Sequence, residues 1–388
     1  PPAPADFRRL MRICSPPCGI SPESGSGGEV YERELLKDLA ALGVETHILL
    51  ARGKPHDPGV PGWTIHPVWP RRGLRWPVTP LVFPAHIKRV WDLKGFDLLR
   101  AHSVRYVGPA ALLARRRYRL PVPVVTHHHH LDPSRLNPYL ERRVLRASDC
   151  VITDSRFAKD QIHDELGISV DHVRVVYCGV GPKYRQQPKD RELIRRFSLD
   201  GKQVLLSMGP LIERKNPRFA LEALRDLRLA LGGGVVLMWV GAGPLRRPLQ
   251  QLARRLGVDD GVIFTGYLPE AEKVAVLNLA DVFVFPSLLE GFPLSPQEAM
   301  SCGKPVVAFR VASLPELVED GVSGFLTNAN DGPAFVERVA RLLKDAPLRR
   351  RFGTAAAERV ERHFRWERTV RQVLKVYEEV LDEFRRSG

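Results

Sequence analysis

The chain has 388 residues, 44% of them hydrophobic and 27% charged, with a formal net charge of +15. That length exceeds what one hydrophobic core usually supports, so two domains are expected. The composition is that of an ordinary soluble globular protein, and no apolar run reaches the roughly 20 residues that a membrane-spanning helix needs.

Residues 1–6 show no basic stretch leading into an apolar one, so no secretory signal is expected. The five cysteines, Cys14, Cys18, Cys150, Cys178 and Cys302, form an odd and scattered set. Cys14 and Cys18 make a C-x3-C pair, but no second pair completes a zinc site. Reduced thiols in a cytoplasmic protein follow. Residues 10–14 read as a short strand, and the loop after them holds Gly25, Gly27 and Gly28. Apolar residues recur at helical spacing over 29–42 until Gly43 ends the helix. No dinucleotide fingerprint is read there, because the glycines lie over ten residues past the strand and no acidic residue ends a second one.

Residues 46–50 read as the next strand. Between Arg52 and Arg119, 14 Lys/Arg stand against 3 Asp/Glu, interleaved with Trp63, Trp69, Trp76, Phe83 and Trp91. That mixture suits an anionic membrane surface or an anionic lipid acceptor. Solvated helix faces give the same composition, and nucleic acid answers to the same electrostatic footprint. Strands follow at 97–101 and 122–126, with a helix over 109–118 between them, and again at 150–153 and 173–176. Such alternation argues for βαβ units and a parallel sheet. His127 to His130 form a run at a strand end. Neighbours in a strand alternate faces, so all four cannot converge on a metal. One or two of them are candidates to line a ligand site, against the plainer reading of a partly exposed loop.

Residues 178–189, rich in Gly, Pro and polar groups, read as an interdomain linker. The strand pattern restarts at 203–207, 235–240, 262–264, 282–285 and 305–308. The last helix, 367–386, is amphipathic through Val370, Val373, Leu374, Val376, Tyr377, Val380, Leu381 and Phe384.

Chemistry gathers in this second half. The strand 282–285 stops at Pro286, and a helix is expected over 297–302, with Ser295 as N-cap, Pro296 at the first position and Gly303 closing it. Glu290 then lies in a loop at the carboxyl end of a strand, and Glu298 in the first turn of the next helix. Ligands of open α/β sheets bind at that edge, and the amides of Leu294 and Ser295 would offer an anion a helix N-terminus. Arg214 and Lys215, at the edge of the first strand of this half, form a cationic pair able to clamp a diphosphate. Gly241-Ala242-Gly243-Pro244 lets backbone approach a planar base, and Gly266-Tyr267-Leu268 is a further loop at a strand end.

Together these segments resemble retaining glycosyltransferases of the GT-B fold, glycosyltransferase family 4. The likeness is carried by Glu290…Glu298 with its Gly-Phe-Pro-Leu, by 302–308 (Cys-Gly-Lys-Pro-Val-Val-Ala) and by 314–326 (Leu-Pro-Glu-Leu-Val-Glu-Asp-Gly-Val-Ser-Gly-Phe-Leu). It covers nearly the whole chain and is densest over 203–330. Two departures stand out: Pro210 where the family usually has arginine, and Cys178-Gly179-Val180 for Asn-Gly-Val.

The resemblance implies an α/β, GT-B architecture: two doubly wound Rossmann-like domains facing each other across a deep cleft. An acceptor-binding domain would span 1–182, with the last helix returning to it, and a donor-binding domain 183–366. It implies that Glu290 bonds hydroxyls of the donor sugar and Glu298 those of the ribose. Lys215 with Arg214 would neutralise the leaving diphosphate, while Gly241, Tyr267 and Leu268 flank the base. Phe292, Leu294 and Ser295 complete the donor side, Gly27 and Gly28 approach the phosphates, and His102 lies near the transferred sugar. His102, Glu290 and Lys215 are thus the expected catalytic set. No D-x-D sequence occurs, so no metal and no further cofactor are expected. The implied reaction is front-face hexosyl transfer from a nucleotide-diphosphate sugar to a hydroxyl of a lipid-linked, glycan or small-molecule acceptor, in cell-envelope or polysaccharide synthesis. A covalent role for Glu290, as in retaining glycosidases, is the minor alternative. The competing functions are a nucleotide-sugar epimerase or hydrolase of the same fold, and a basic protein that binds membranes or nucleic acid. With the first reading, no nucleic-acid partner is expected, and the location is cytoplasmic or peripheral at the inner membrane face.

Overall fold

The computed structural model describes residues 11–17, 19–24, 27–69, 75–129 and 138–387. Cys18, Gly25 and His130 lie outside the described residues, as does the stretch 1–6. Runs of β-branched and aliphatic residues form the strands. They are long enough to cross a sheet and apolar enough to be covered on both faces.

The first seven strands are β1 (Arg12–Ser15), β2 (Glu45–Ala51), β3 (Trp63–Val68), β4 (Leu98–Ala101), β5 (Val124–His128), β6 (Cys150–Thr153) and β7 (Val173–Val175). They form one sheet in the order β3-β2-β1-β4-β5-β6-β7, every pairing parallel. The remaining six are β8 (Gln203–Met208), β9 (Val235–Val240), β10 (Val262–Gly266), β11 (Val282–Phe285), β12 (Val306–Phe309) and β13 (Gly324–Thr327). They form a second sheet in the order β10-β9-β8-β11-β12-β13, again all parallel. Each sheet reverses its winding once, between β1 and β4 in the first and between β8 and β11 in the second. Those are the places where crevices open at the strand carboxyl ends.

The chain divides into two compact units, one reaching to Val176 and resuming at Val370, the other Tyr177–Thr369. In the first, Leu49, Phe83, Ile87, Leu99 and Val124 are among the buried side chains of the core. In the second, Phe219, Phe309 and Phe335 pack edge to face at 4.8–5.7 Å beside Trp239.

Several local expectations change. β3 and β13 were not foreseen. β3 is an edge strand without a continuous apolar run. In β13 a side chain at Gly324 would meet the Val306 carbonyl at 2.1 Å, so only glycine lets the strand pair. The helix Gly27–Ala41 starts two residues early, so Gly27 and Gly28 are its first residues and not loop. Helix Leu294–Ser301 starts three residues early, with Pro293 as the residue before it. Ser295 is therefore not its cap, and its hydroxyl donates to the Met208 carbonyl at 3.2 Å. Glu298 falls in the second turn. Residues 178–189 directly follow the division between the units at Val176 and Tyr177, and Val180 exchanges backbone hydrogen bonds with Phe364 and Trp366 at 2.9 and 3.1 Å. Arg100, counted among the basic residues, is fully buried. Trp63 donates to the Leu36 carbonyl and Trp91 packs on Phe96, so two of the tryptophans serve packing.

Cys14, Cys150, Cys178 and Cys302 are free thiols, all buried. Burial raises the thiol pKa of Cys14 and pushes those of Cys150 and Cys302 up to about 12, so none of these three offers a thiolate. Among the described residues no helix is long and apolar enough to cross a membrane.

Candidate active site

The second sheet's winding reversal brings the β8 loop against the β11 loop, and charged groups meet there. After β8 the chain passes Gly209 at φ +146°, makes a short 3-10 turn over Glu213–Lys215, and enters the helix Pro217–Leu231 through Asn216 at φ +51°. Lys215 Nζ donates to Glu290 Oε1 at 2.6 Å, and Arg214 Nη1 lies 3.0 Å from the same oxygen. The Ser287 hydroxyl donates to that oxygen too, and Arg214 also donates to the Leu289 carbonyl. Leu288 N donates to the Arg214 carbonyl at 2.9 Å, which ties the two loops by backbone as well. The Lys215 ammonium lies 4.8 Å from the centre of the Phe285 ring.

Both members of the Lys215–Glu290 pair are buried. Burial raises the Glu290 pKa, but Lys215, Arg214 and the Ser287 hydroxyl outweigh it and hold the carboxyl below its usual range. Burial lowers the Lys215 pKa, and Glu290 offsets only part of that. Glu290 is thus an ionised acceptor of hydrogen bonds and no general acid.

Glu298 is buried on the neighbouring helix and accepts from Lys273 Nζ at 2.7 Å. Lys273 also donates to the Tyr184 hydroxyl at 2.7 Å, and that hydroxyl donates to Glu270. The amides of Leu294 and Ser295 belong to the first turn of this helix, where no intrahelical partner is available. The Phe292 ring packs between Tyr177 and Phe364 at 5.0 and 5.3 Å. What it contributes is to anchor the loop that carries Glu290.

The glycines of the neighbouring loops have a packing reason. A side chain on Gly241, at φ +139°, would meet the Gly209 carbonyl at 2.1 Å, and one on Gly243 would meet the Leu211 carbonyl at 2.4 Å. Leu211 N donates to the Ala242 carbonyl at 3.0 Å, so the two loops form one backbone platform. After β10, Tyr267 is exposed while Leu268 is buried. The two offer different surfaces.

A second polar cluster stands at the strand ends of the first unit, where β1 and β4 part. Arg100 grips Glu32 with both terminal nitrogens, one at 2.7 Å, and donates to Ser15 Oγ at 3.1 Å. Its Nε donates to the Tyr377 hydroxyl at 2.7 Å, and that hydroxyl meets His127 Nε2 at 2.8 Å. Arginine only donates, so the Tyr377 oxygen accepts from it and keeps its own proton available for His127. Burial, joined by Arg100 and the neighbouring histidines, holds the pKa of His127 well below its usual range. His102 stacks on Tyr31 at 5.8 Å and meets His129 at 2.8 Å. His127 and His129 join this cluster, as alternation along a strand requires. No group of three or more His, Cys, Asp or Glu among the described residues is arranged to hold a metal ion.

Each unit therefore brings its expected residues to its own winding reversal: Arg214, Lys215, Glu290 and Glu298 in one, Gly27, Gly28 and His102 in the other. Sequence alone gave no site role to Ser287, Lys273, Glu32, Arg100, Tyr377 or Asp154, the last lying 3.0 Å from His129 Nδ1 through Oδ2. Only Arg100 carried a signal, as a charged residue inside an otherwise apolar strand.

Two doubly wound parallel-sheet units, the second carrying paired cations and carboxylates at its strand ends, define the GT-B class of glycosyltransferase. Residues 25–184 match the model of Glycosyltransferase Family 4, and residues 189–359 that of Glycosyl transferases group 1. The chain is 30% identical to D-inositol 3-phosphate glycosyltransferase of Streptomyces bingchenggensis, over 94% of this chain and 88% of that one. It is 26% identical to N-acetyl-alpha-D-glucosaminyl L-malate synthase of Bacillus anthracis, over 92% and 95%. The crystal structure of Anabaena Alr3699/HepE in complex with UDP shares the fold with a TM-score of 0.79 at 20% identity, over 95% of this chain and 100% of that one. The chain belongs to glycosyltransferase family 4, and it is an enzyme of the hexosyltransferase class.

Proposed function

We propose that this enzyme is a retaining transferase that moves a hexosyl unit from a nucleotide-diphosphate sugar to a hydroxyl acceptor, without a metal ion. The observation that carries this is the cluster of Lys215, Arg214 and Glu290 where β8 and β11 part. A diphosphate would compete with Glu290 for the same two cations, and so would free the carboxylate to accept from sugar hydroxyls. Lys215 and Arg214, with the amides of Leu294 and Ser295, supply the positive charge that a departing diphosphate needs. Glu298 accepts from the ribose hydroxyls, with Lys273 holding it in place. The exposed ring of Tyr267 and the Gly241 loop border the base.

In the transfer, the bond from the sugar's anomeric carbon to the phosphate oxygen breaks, and the acceptor oxygen bonds that carbon on the same face. The acceptor proton passes to the departing phosphate. Glu290, accepting from the Ser287 hydroxyl and from sugar hydroxyls, orients the donor in this course and does not attack it. The acceptor belongs to the first unit, whose polar cluster offers His102 and His129. A lipid-linked acceptor and contact of the basic region 52–119 with anionic membrane fit the exposed Trp69, Leu81 and Leu93. Placement in cell-envelope or polysaccharide synthesis agrees with such an acceptor.

Thermal melts with UDP, GDP and ADP, in EDTA, test the donor half. One nucleotide should stabilise the protein, by about 2.7 kcal/mol at a hundredfold excess over Kd. Lys215→Met should abolish that shift. A flat response to all three would overturn the proposal. The anomeric configuration of the product, read by NMR, tests retention.

A further inference from the structure

In the first unit the crossovers from β3 to β4, β4 to β5 and β5 to β6 all run the same way across the sheet. Right-handed crossovers set their helices, Arg75–Lys94, Val107–Tyr118 and Pro138–Ala147, in one layer on one face of it. Phe83 and Ile87 of the first helix share a core with Ala110 and Ala114 of the second and with Leu99 and Val124 of the sheet, so the other sides of these helices face away from it. Five of the ten exposed large hydrophobic side chains among the described residues gather here: Leu81, Leu93, Leu113 and Tyr139 on the helices, and Trp69 directly after β3. Such gathering marks an interaction surface, whereas single scattered residues do not.

Each helix returns from the carboxyl end of one parallel strand to the amino end of the next, so its first turns lie toward the strand ends that carry His102 and His129. In all three an exposed apolar residue precedes exposed arginines: Leu81 before Arg89, Leu113 before Arg116, and Tyr139 before Arg142 and Arg143. The offset is about 4–12 Å along the helix at about 1.5 Å per residue. A bilayer interface has the same depth profile, since apolar groups enter it by about 5–10 Å while cations stay with the phosphates. Leu93, in a last turn, is the exception. The carboxylates of the layer are engaged, Asp92 by Lys88, Glu141 by Arg105 and Asp149 by Arg115. Arg89, Arg116, Arg142 and Arg143 form no ion pair among the described residues. The next helix, Arg156–Leu166, exposes Asp160, Asp164 and Glu165 instead. An anionic surface therefore attracts three helices of the layer and repels the fourth.

We propose that this edge, with Trp69, Leu81, Leu113 and Tyr139 ahead of a band of arginines, docks on anionic lipid and turns the strand carboxyl ends of the first unit toward the bilayer. The docking rests on the layer alone; that it serves lipid-linked acceptors rests on the transferase reading. It narrows the basic region 52–119 to one edge and extends it through Pro138–Ala147. Nucleic acid would use the arginines, but its phosphates have no use for leucines exposed to water. In the docked orientation a headgroup hydroxyl approaches the polar cluster beside β4 and β5 without leaving the interface.

Flotation of the full chain tests this, with vesicles of phosphatidylcholine alone and of phosphatidylcholine mixed equally with phosphatidylglycerol. The protein should float with the anionic vesicles only, and added salt should weaken that binding. Leu81→Asp and Arg142→Glu should each lower the partition coefficient about tenfold. Both sites are exposed, so both variants should melt like the parent. Leu229→Asp, at an equally exposed leucine of the second unit, should leave partition unchanged. No flotation, equal flotation with neutral vesicles, or equal losses in Leu81→Asp and Leu229→Asp overturns the proposal. Duplex DNA that strips the parent from vesicles, while Leu81→Asp floats as the parent does, would assign the arginines to nucleic acid and overturn it too. Flotation needs no nucleotide, so a flat nucleotide panel beside intact flotation would remove the transferase reading alone.

Discussion

Glu290 accepts from Lys215 and Ser287 through one oxygen, Oε1, and pairs with Arg214 through the same oxygen, inside a buried site. A carboxylate so placed is depressed in the folded state, so its stabilising contribution is present above the unfolded value of about 4.3 and disappears as the pH falls through the lower folded value. Glu290→Gln leaves Lys215 buried beside a neutral amide. The expected loss at neutral pH is about 3–5 kcal/mol at most, since Lys215 can shed its proton and Arg214 can turn to solvent. Below about pH 4 the gap between parent and variant should close. Melting curves of both proteins from neutral to acid pH check this, and a gap that widens toward acid would contradict the pairing.

At the scale of elements, the donor side is a set of strand-end loops pressed together, and glycine decides whether they can be. Gly241 sits at φ +139° with the Gly209 carbonyl 2.1 Å from where a side chain would start. Backbone cannot yield there as a flexible side chain would. Gly241→Ala should therefore cost more than the about 1 kcal/mol of an ordinary exposed glycine replacement and should push the β8 loop outward. Lys215 would then leave Glu290, so nucleotide stabilisation should fall together with the melting temperature. A variant with a normal melt and an unchanged nucleotide shift would show that the platform has more give than its geometry implies. The start of the helix Leu294–Ser301 shows the limits of capping rules at this scale. Ser295 follows Pro293 and precedes Pro296, the pattern of an N-cap, yet its hydroxyl bonds the Met208 carbonyl of the neighbouring strand. A tertiary partner outbid the local one.

For the whole molecule, the two units are not two halves of the sequence. The last helix, Trp366–Ser387, belongs from Val370 onward to the first unit. It buries Val370, Val373, Val376, Tyr377, Val380 and Leu381. At about 1.5–3 kcal/mol each, these side chains rival the about 5–15 kcal/mol that a whole protein usually has. Tyr377 also joins Arg100 to His127. Removing residues 370–388 should thus leave the first unit open to limited proteolysis while Tyr177–Thr369 survives as a resistant fragment. Equal resistance of both units after the deletion would show that the helix is dispensable.

Alternation of apolar runs with helical periodicity made the two parallel sheets legible in the sequence, because that signal lies within short windows. So were Glu290, Glu298, Arg214 and Lys215, whose places at strand ends follow from counting along the chain. What the sequence did not carry is which strand ends meet. β8 and β11 are separated by more than 70 residues, and only the winding reversal between them sets Lys215 against Glu290. The same holds in the first unit, where Tyr377 and Arg100 are 277 residues apart. Partners such as Ser287, Lys273 and Asp154 look like ordinary surface polar residues until burial gives them something to satisfy. Local pattern determined the elements and the chemistry each carries. Long-range packing decided which charges are buried together, because the cost of an unpaired buried charge is settled only when the strands have taken their order.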